Sequence, residues 1–271
     1  MGNLFKDKIA IITGASSGIG LALARELSQL GTHLVIAARR FDVLEQVASE
    51  LGKNGVAVLP VKTDVAIPAD CERLIQKTIE KYGRIDILIN NAGISMRARF
   101  SNVQIDVLKR LMDVNFWGAL YCTKHALPYL LESRGSLIGI SSIAGFKGLP
   151  GRAGYSSSKF AMQGLLETIR IEHLKDGLHV MVVAPGFTAT EIRKNALLAD
   201  GTSQLFSPRD ENNIMSAEEV AKKIIRGIRF RRRNLIFTWK GKILVLFQRI
   251  LPKIIDRLAY GEMAREPGSP I

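Results

Sequence analysis

Short apolar runs alternate with amphipathic stretches along most of this 271-residue chain. The runs are almost wholly apolar and lie at 9–13, 34–38, 56–61, 85–89, 137–141 and 180–184. Helical periodicity fills the stretches between them, at 18–30, 42–52, 69–82, 104–132 and 155–175. Strands that are apolar on both faces belong to parallel sheets covered by helices. The sequence therefore predicts an α/β fold, a Rossmann-type doubly wound parallel sheet of about seven strands with helices on both faces.

A glycine-rich turn joins the first apolar run to the first helix. Gly14, Gly18 and Gly20 follow the run and open the helix. Glycine permits a tight turn and lets backbone N–H groups approach a pyrophosphate, which the positive end of the helix favours. The G-x-x-x-G-x-G spacing is a variant of the dinucleotide fingerprint. Such turns also serve packing alone, and it is the position at the first strand–helix junction that favours a cofactor site.

The end of the second apolar run indicates which dinucleotide would bind. A carboxylate there binds a free ribose 2′-hydroxyl, whereas a 2′-phosphate requires a cation. The run ends at Ala38 and is followed by Arg39 and Arg40, with no acid. The planar guanidinium of Arg39 can pair with a phosphate. The sequence predicts NADP(H); the alternative is that both arginines are solvated surface charges.

Three polar residues predict proton transfer to or from a carbonyl oxygen. Tyr155 and Lys159 are four residues apart at the start of a helix, so they share a face. A nearby ammonium favours the phenolate and is expected to lower the tyrosine pKa toward neutrality. Ser142 follows an apolar run and can donate a hydrogen bond to the substrate oxygen.

Together these motifs resemble the short-chain dehydrogenases/reductases over roughly residues 5–230. The resemblance implies catalytic roles for Asn115, Ser142, Tyr155 and Lys159. It implies cofactor contacts from Gly14, Ser16, Ser17, Gly18, Ile19, Gly20, Arg39, Asp64, Val65, Asn91, Ala92, Gly93, Tyr155, Lys159, Pro185, Gly186, Thr188 and Thr190. No metal ligand set is expected. Because every catalytic position is filled, the sequence argues against a non-catalytic NADP-binding relative.

The mechanism implied by the resemblance is reduction of a ketone by NADPH. Ser142 and Tyr155 would hold the ketone oxygen, Tyr155 would protonate it, and Lys159 would bind the nicotinamide ribose. Reprotonation would pass through Lys159 and a water held near Asn115. Two residues keep open alternatives. Asn90 either contacts the cofactor or bridges strands, and Asp64 either contacts adenine or caps the helix that follows Pro68.

Composition predicts one large globular domain in a reducing compartment. Hydrophobic residues make up 47% of the chain, which excludes global disorder. Cys71 and Cys122 lack metal or redox spacing and are expected to be buried thiols. No secretory signal is recognisable at the N-terminus, and no apolar run reaches the ~18–20 residues that span a bilayer. A cytoplasmic protein is expected.

The net charge of +13 is concentrated near the C-terminus. Residues 222–257 hold twelve Lys or Arg and one acid, a charge of +11 that leaves +2 for the rest of the chain. Apolar residues recur at three- and four-residue steps over 243–258, with an interruption or kink at Pro252. The sequence therefore divides into a catalytic domain, 1–238, and a basic amphipathic tail, 239–271.

The tail suggests a partner. Basic residues interleaved with aliphatic ones over 222–258 favour peripheral association with an anionic membrane surface. The alternatives are packing on the domain's own core or on another subunit. Nucleic-acid binding is not expected, because the basic residues alternate with aliphatic residues instead of stacking aromatics.

The expected substrate is a hydrophobic ketone or alcohol. The stretch after Pro185-Gly186, residues 187–215, is predicted to be an apolar substrate loop that includes Phe187, Ile192, Ala196, Leu197, Leu198, Leu205 and Phe206. With the tail, it resembles membrane-associated lipid and steroid ketone reductases of the family. The 3-ketosphinganine reductases are placed first, and hydroxysteroid-dehydrogenase-like enzymes or general carbonyl reductases are the alternatives. The family resemblance also implies a homodimer or homotetramer through helices 104–132 and 155–175.

Overall fold

The computed structural model describes residues 4–207, 214–248 and 250–271, without the side chain of Lys240. Part of the predicted loop 187–215, residues 208–213, lies outside the described residues, as does Arg249 of the predicted tail.

Seven parallel strands form one sheet in the order β3-β2-β1-β4-β5-β6-β7. The predicted doubly wound fold is confirmed. The strands are β1 Ile9–Thr13, β2 His33–Ala38, β3 Val58–Lys62, β4 Ile87–Asn90, β5 Ser136–Ile140, β6 His179–Ala184 and β7 Asn234–Ile236. The sequence runs identify the first six. β7 is a three-residue edge strand directly after three arginines, too short for a periodic signal.

Helices cover both faces of the sheet. They are α1 Gly18–Gln29, α2 Phe41–Gly52, α3 Pro68–Tyr82, α4 Ile105–Met112, α5 Gly118–Glu132, α6 Ala153–Glu172, α7 Ala217–Arg229, α8 Trp239–Phe247 and α9 Pro252–Ala264. Successive strand residues point to opposite faces, so Ile12 packs with α1, α2 and α7 while its neighbour Ile11 packs with α3, α5 and α6. Helices cover both faces of the sheet, which explains why polar and apolar residues do not alternate along the strands.

The sheet reverses its winding direction between β1 and β4. β1 pairs with β2 on one side and with β4 on the other. In open α/β sheets a crevice forms at such a point, beyond the carboxyl ends of the strands. The segments that follow β1 and β4 therefore meet there, and they carry the glycine turn and Asn91.

The predicted single helix over 104–132 is interrupted. A π-helical segment, Asp113–Trp117, separates α4 from α5, and Asn115 is its buried residue. A π-helical turn inserts extra backbone and shifts the register of the side chains that follow. Hydrophobic periodicity does not reveal this shift. Leu111 and Ala119 are buried on either side of it, and their spacing is also that of one face of a continuous helix.

The tail forms two helices with a break between them. Proline lacks a backbone N–H and is tolerated in the first helical turn, and Pro252 begins α9. The predicted interruption at Pro252 is confirmed. On α9, Ile255, Ala259 and Met263 are buried, whereas Ile254 and Leu258 are exposed.

Both cysteines are free and buried, as predicted. Cys71 lies on α3 and Cys122 on α5, within the same hydrophobic core. A hydrogen bond with Cys71 and burial raise the pKa of the Cys122 thiol well above its usual range. This thiol is therefore protonated and part of the packing.

Candidate active site

A cleft of about 710 Å³ lies at the carboxyl ends of the strands. Eighteen predicted site residues line it: Gly14, Ser16, Ser17, Gly18, Ile19, Arg39, Asp64, Val65, Asn91, Ala92, Gly93, Ser142, Tyr155, Lys159, Pro185, Gly186, Thr188 and Thr190. Gly20 and Asn115, also predicted, lie behind this surface, where they support it. The structure thus brings together the glycine turn and the Ser–Tyr–Lys set.

The glycine turn has the shape of an anion cradle. Gly14 and Gly18 have φ angles of +67° and +54°, a region that side chains with a Cβ rarely adopt. A Cβ at Gly14 would lie 2.9 Å from the Cα of Ala92, and one at Gly20 would overlap the Gly14 carbonyl oxygen. Among the described residues, no side chain caps the start of α1 at Ser17, and the first turn contains no acid. The helix N-terminus therefore offers free N–H groups to a pyrophosphate.

Thr13 and Asn91 hold this cradle in place. The Thr13 hydroxyl accepts the backbone N–H groups of Asn91 and Ala92, each at 3.0 Å. The Asn91 amide donates to the carbonyl oxygens of Thr13 at 2.8 Å and Gly14 at 3.2 Å. The segments after β1 and β4 thereby fix each other. The role of Thr13 is not visible in the sequence, because a threonine ending a strand is unremarkable.

Asn90 has a structural role. Its side chain is buried and donates to Thr123 Oγ1 at 2.8 Å and to the Ala119 carbonyl at 3.4 Å. Both partners lie on α5, and Asn90 does not line the cleft. Asn90 therefore joins β4 to a helix; it neither bridges strands nor contacts a ligand in the cleft.

Three charged residues line the part of the cleft formed by the segments after β2 and β3. Arg39 and Arg40 are exposed there, and Arg40 donates to Ser16 Oγ at 3.2 Å. Asp64 Oδ1 accepts the N–H of Ala66 at 3.1 Å, whereas the N-cap of α3 is Ile67. The helix-cap alternative for Asp64 is therefore wrong. Its carboxylate shapes a turn, and the residue lines the cleft.

The catalytic candidates come from β5 and α6. Ser142 follows β5, and its Oγ accepts the Ala144 N–H at 3.2 Å. Tyr155 and Lys159 lie in the first two turns of α6, with the Lys159 Nζ 5.8 Å from the Tyr155 ring centre. Lys159 is buried and donates to the Ile140 carbonyl at 2.8 Å. A phenol, an amine and a hydroxyl thus converge on one wall of the cleft.

The pKa directions differ from the sequence-based expectation. Burial raises the pKa of Tyr155, and the Ser142 hydrogen bond and the charge of Arg152 only partly oppose this effect. Burial lowers the pKa of Lys159 to about 8. The prediction that Lys159 brings the tyrosine pKa toward neutrality is wrong for the protein's own groups, because the amine is itself desolvated. Tyr155 therefore keeps its proton at neutral pH, as a general acid must.

Asn115 ties the cleft wall to α6. Its amide forms a pair of hydrogen bonds with the backbone of Ile94, at 2.8 and 3.0 Å, and donates to Ser158 Oγ at 2.9 Å. A Cβ at Gly93 would lie 3.1 Å from Asn115 Oδ1 and 3.3 Å from Lys159 Nζ. A side chain at position 93 would therefore press on both of these groups. The predicted water relay stays a prediction.

The remaining part of the cleft is mixed in character. Of the predicted substrate loop, Phe187, Ile192, Ala196 and Leu197 line it, whereas Leu205 and Phe206 are exposed to solvent. Sequence reasoning missed lining residues that come from distant segments, among them Arg110, Arg152 and Met263. Hydrophobic and cationic groups thus share this end. The described part of the chain holds no cluster of His, Cys, Asp or Glu suited to a metal ion.

This constellation defines a dinucleotide-type oxidoreductase site, and comparison with known proteins identifies the family. Residues 8–200 match the family described as short chain dehydrogenase. That span is most of the chain, and the chain belongs to this family. It is an oxidoreductase that acts on CH–OH or C=O groups.

Two relatives illustrate the similarity. A Dictyostelium discoideum protein named dehydrogenase/reductase SDR family protein 7-like is 38% identical over 263 residues, 94% of this chain and 82% of the relative. The 11-beta-hydroxysteroid dehydrogenase 1A of Arabidopsis thaliana is 36% identical over 272 residues, 95% of this chain and 76% of the relative.

Solved structures agree on the fold. An alcohol dehydrogenase from Thermococcus sibiricus, complexed with 5-hydroxy-NADP, superposes with a TM-score of 0.77 at 26% identity, over 86% of this chain and 96% of that one. A short chain dehydrogenase/reductase from Burkholderia phymatum in complex with NAD gives a TM-score of 0.83 at 23% identity, over 94% of this chain and 96% of that one. At that identity the second comparison concerns the fold alone.

Proposed function

We propose that this protein reduces a hydrophobic ketone to a secondary alcohol with NADPH. One observation carries the proposal: Ser142, Tyr155 and Lys159 share a cleft with the uncapped N-terminus of α1. The start of α1 would hold the pyrophosphate of a dinucleotide, which would then share this cleft with the proton-donating groups. When bound, the dinucleotide supplies the hydride.

The protein's own residues handle the oxygen and the proton. The Ser142 hydroxyl donates a hydrogen bond to the ketone oxygen, which stabilises the negative charge that develops there. Tyr155 Oη transfers its proton to that oxygen, and its raised pKa keeps this proton available. Lys159 lies next to Tyr155 on the same helix face and would bind the nicotinamide ribose. Asn115 fixes the Ile94 segment and Ser158 around it.

The cleft favours a neutral hydrophobic ketone over a cationic one. Phe187, Ile192 and Leu197 offer apolar contacts, while Arg110 adds positive charge to the cleft. A long-chain amino-ketone such as 3-ketosphinganine would bring an ammonium toward this guanidinium, which costs free energy. A steroid-like ketone meets no such repulsion, and relatives named 11-beta-hydroxysteroid dehydrogenase favour it as the substrate class.

A substrate panel tests this proposal. NADPH oxidation is measured with an 11-ketosteroid, with 3-ketosphinganine and with short water-soluble ketones. We expect kcat/KM for the hydrophobic ketones to exceed that for the soluble ones by about tenfold or more, since each buried methylene contributes ~0.8 kcal/mol. Equal or faster turnover of the soluble ketones would remove the hydrophobic-ketone proposal. Higher kcat/KM for 3-ketosphinganine than for the steroid would restore the lipid as first choice.

Arg39 supports NADP(H) over NAD(H). It lines the cleft and is exposed, and it makes no ion pair with any residue that the structure describes. An unpaired guanidinium at the end of β2 is suited to a 2′-phosphate. Asp64 lies after β3 rather than β2, so it does not occupy the position at which a carboxylate selects NAD(H).

Arg39→Asp is expected to reverse the cofactor preference. Loss of a charge-assisted contact worth ~1.5–3 kcal/mol lowers kcat/KM for NADPH by about 10- to 100-fold. The value for NADH should stay equal or rise, because no phosphate meets the new carboxylate. The measurement is initial rates with both cofactors. Lys53→Asp, at the far end of α2, is the matched control for a surface charge reversal. A parallel loss with both cofactors would contradict the NADP(H) assignment.

We further propose that the tail binds the surface of an anionic membrane. Trp239, Leu246, Ile250, Ile254 and Leu258 are 53–74% exposed, although all are large and apolar. Lys242, Lys253 and Arg257 are exposed beside them. Basic flanks around an apolar stripe are typical of helices that lie in the bilayer interface. No helix within the described ranges is long and apolar enough to cross a membrane.

The membrane surface proposed from the sequence, 222–258, does not form one face. Arg229–Arg233 precede β7 and therefore lie at the amino ends of the parallel strands, opposite the cleft. There Arg231 donates to the Gly177 carbonyl, and the Arg232 carbonyl lies 2.9 Å from His179 Nε2. Helices α8 and α9 follow β7 at the cleft end. The proposed membrane face is accordingly limited to these two helices.

Vesicle co-sedimentation tests the membrane face. We expect the full chain to bind phosphatidylserine-containing vesicles more tightly than phosphatidylcholine vesicles, by ~1 kcal/mol per engaged basic residue. The triple variant Leu246→Ser, Ile254→Ser, Leu258→Ser should lower the partition coefficient by about tenfold or more. Leu4→Ser with Ile67→Ser removes comparably exposed apolar groups elsewhere and should change nothing. Unchanged binding of the triple variant would exclude this face.

Self-association is proposed through the helices named from the sequence. Trp117, Phe160 and Ile171 are exposed on the π-helical segment and on α6. Such apolar groups favour a homodimer or homotetramer. Light scattering of the full chain tests this, and a monomeric mass at micromolar concentration would contradict it.

A further inference from the structure

The C-terminal end of the chain returns to the cleft. Helix α9 buries Ile255, Ala259 and Met263 against the body, and Met263 is part of the cleft lining. Beyond the helix, Pro270 packs against Gly151, where a Cβ would lie 2.9 Å from the proline ring. The last twenty residues therefore contact the segment that leads into α6 and Tyr155.

A buried ion cluster holds this end in place. The Glu266 carboxylate lies 3.2 Å from Arg152 Nη2 and 3.7 Å from Arg97 Nε, and the side chains of Glu266 and Arg97 are each only 3% exposed. Arg97 also donates to the Pro267 carbonyl at 2.6 Å and to Gln204 Oε1 at 3.2 Å. One acid thus joins the segment after β4, the start of α6 and the C-terminus.

The burial of these three charged side chains has a free-energy cost that ordinary surface charges do not have. Desolvating charged groups costs several kcal/mol per ion, and removing one partner from a buried pair is more costly still. The Glu266 carboxylate offsets the charges of the two arginines only when the C-terminal segment lies in this position. The stability of the cluster therefore depends on where that segment lies. Arg152 and Gln204, both joined to the cluster, themselves line the cleft. Displacement of Glu266 would consequently change the substrate end.

We propose that residues 252–271 form the outer wall of the substrate cleft, with Glu266 as the positioning residue that seats them on Arg97 and Arg152 and Met263 as the side chain that limits substrate size. The inference rests on the proposed ketone reduction for its substrate. It differs from the membrane proposal, which concerns the opposite face of α9.

Two variants test the wall in the full chain. Glu266→Gln keeps the shape of the side chain but removes its charge, so KM for the hydrophobic ketone should rise about tenfold while KM for NADPH stays within about twofold. Met263→Ala leaves the ion cluster intact and enlarges the cleft. It should shift the kcat/KM ratio between bulky and small ketones toward the bulky one by about tenfold.

The controls separate the wall from general stability. Asp256→Asn removes an exposed acid on α9, which is paired with Lys147, and should leave every KM unchanged. If Glu266→Gln does not fold, the test depends on Met263→Ala alone. An unchanged ratio of kcat/KM between bulky and small ketones in that variant overturns the proposal. Equal rises in the KM of ketone and NADPH for Glu266→Gln would also overturn it.

Limited trypsin digestion gives a readout that needs no activity. Arg257 and Arg265 are exposed cleavage sites within the segment. A seated wall should resist cleavage there in the parent chain, and Glu266→Gln should be cleaved at least about tenfold faster, because local opening exposes the backbone. Rapid cleavage of the parent chain would overturn the wall. If no ketone is reduced but the digestion behaves as expected, the proposed function fails and the wall stands.

Discussion

Tyr155→Phe is expected to lower kcat/KM for ketone reduction by about 10³-fold, because only the proton donor is lost. Burial raises the pKa of the phenol, so the parent enzyme holds the proton at neutral pH. The aromatic ring packs beside Met96 and Leu111, and phenylalanine preserves that packing. The loss should therefore appear in kcat, with KM for NADPH within about threefold of the parent. Stopped-flow measurement of NADPH oxidation, with NADPH titration by fluorescence, checks both.

Tyr121→Phe provides the matched control for this variant. Tyr121 lies on α5 outside the cleft lining and stacks on Trp117. Removal of its hydroxyl should leave kcat/KM unchanged. If Tyr155→Phe kept more than about a tenth of the parent activity, Tyr155 would not be the general acid. If Tyr155→Phe instead lost NADPH binding, the role of Tyr155 would be to position the cofactor and not to transfer a proton.

The fold could be predicted because its signals are local. Each of the first six strands is a continuous apolar run, and Gly14, Gly18 and Gly20 mark where the first strand turns into a helix. The seventh strand could not be predicted, since Asn234–Ile236 gains its structure by pairing with β6 and not from its own pattern. The π-helical turn at Asn115 was hidden for a related reason. It changes the register by one residue between two ordinary helices.

Part of the chemistry of the site could be predicted from the sequence. Ser142, Tyr155 and Lys159 lie within eighteen residues of one another, so their meeting follows from one strand–helix unit. The direction of the Tyr155 pKa shift was not readable, because it depends on burial by distant segments. Arg97, Arg152 and Glu266 were missed for the same reason. More than a hundred residues separate Arg152 from Glu266, and nothing in the local sequence of either indicates a partner.

Lys159→Met is expected to abolish most activity and yet stabilise the protein. The buried amine has a pKa lowered to about 8, against ~10.4 for a free lysine. At neutral pH the charged form is therefore disfavoured in the folded state by about 3 kcal/mol. Methionine has a similar length and carries no charge. After allowance for the lost hydrogen bond to Ile140, a net gain of about 2 kcal/mol and a Tm rise of roughly 5 °C are expected.

The pH dependence of this gain distinguishes a desolvated amine from better packing. The unfolded chain binds a proton at position 159 up to pH ~10.4, whereas the folded protein releases it above about pH 8. The parent's free energy of unfolding therefore increases between these values as the charge penalty disappears, and the advantage of Lys159→Met shrinks over the same interval. Thermal unfolding from pH 7 to 10.5 measures both curves. Lys175→Met, at an exposed lysine beyond α6, should show no such convergence. If the difference in free energy of unfolding between Lys159→Met and the parent stayed constant across the pH range, desolvation of a charged Lys159 would not destabilise the parent at neutral pH. The electrostatic explanation of this site would then be wrong.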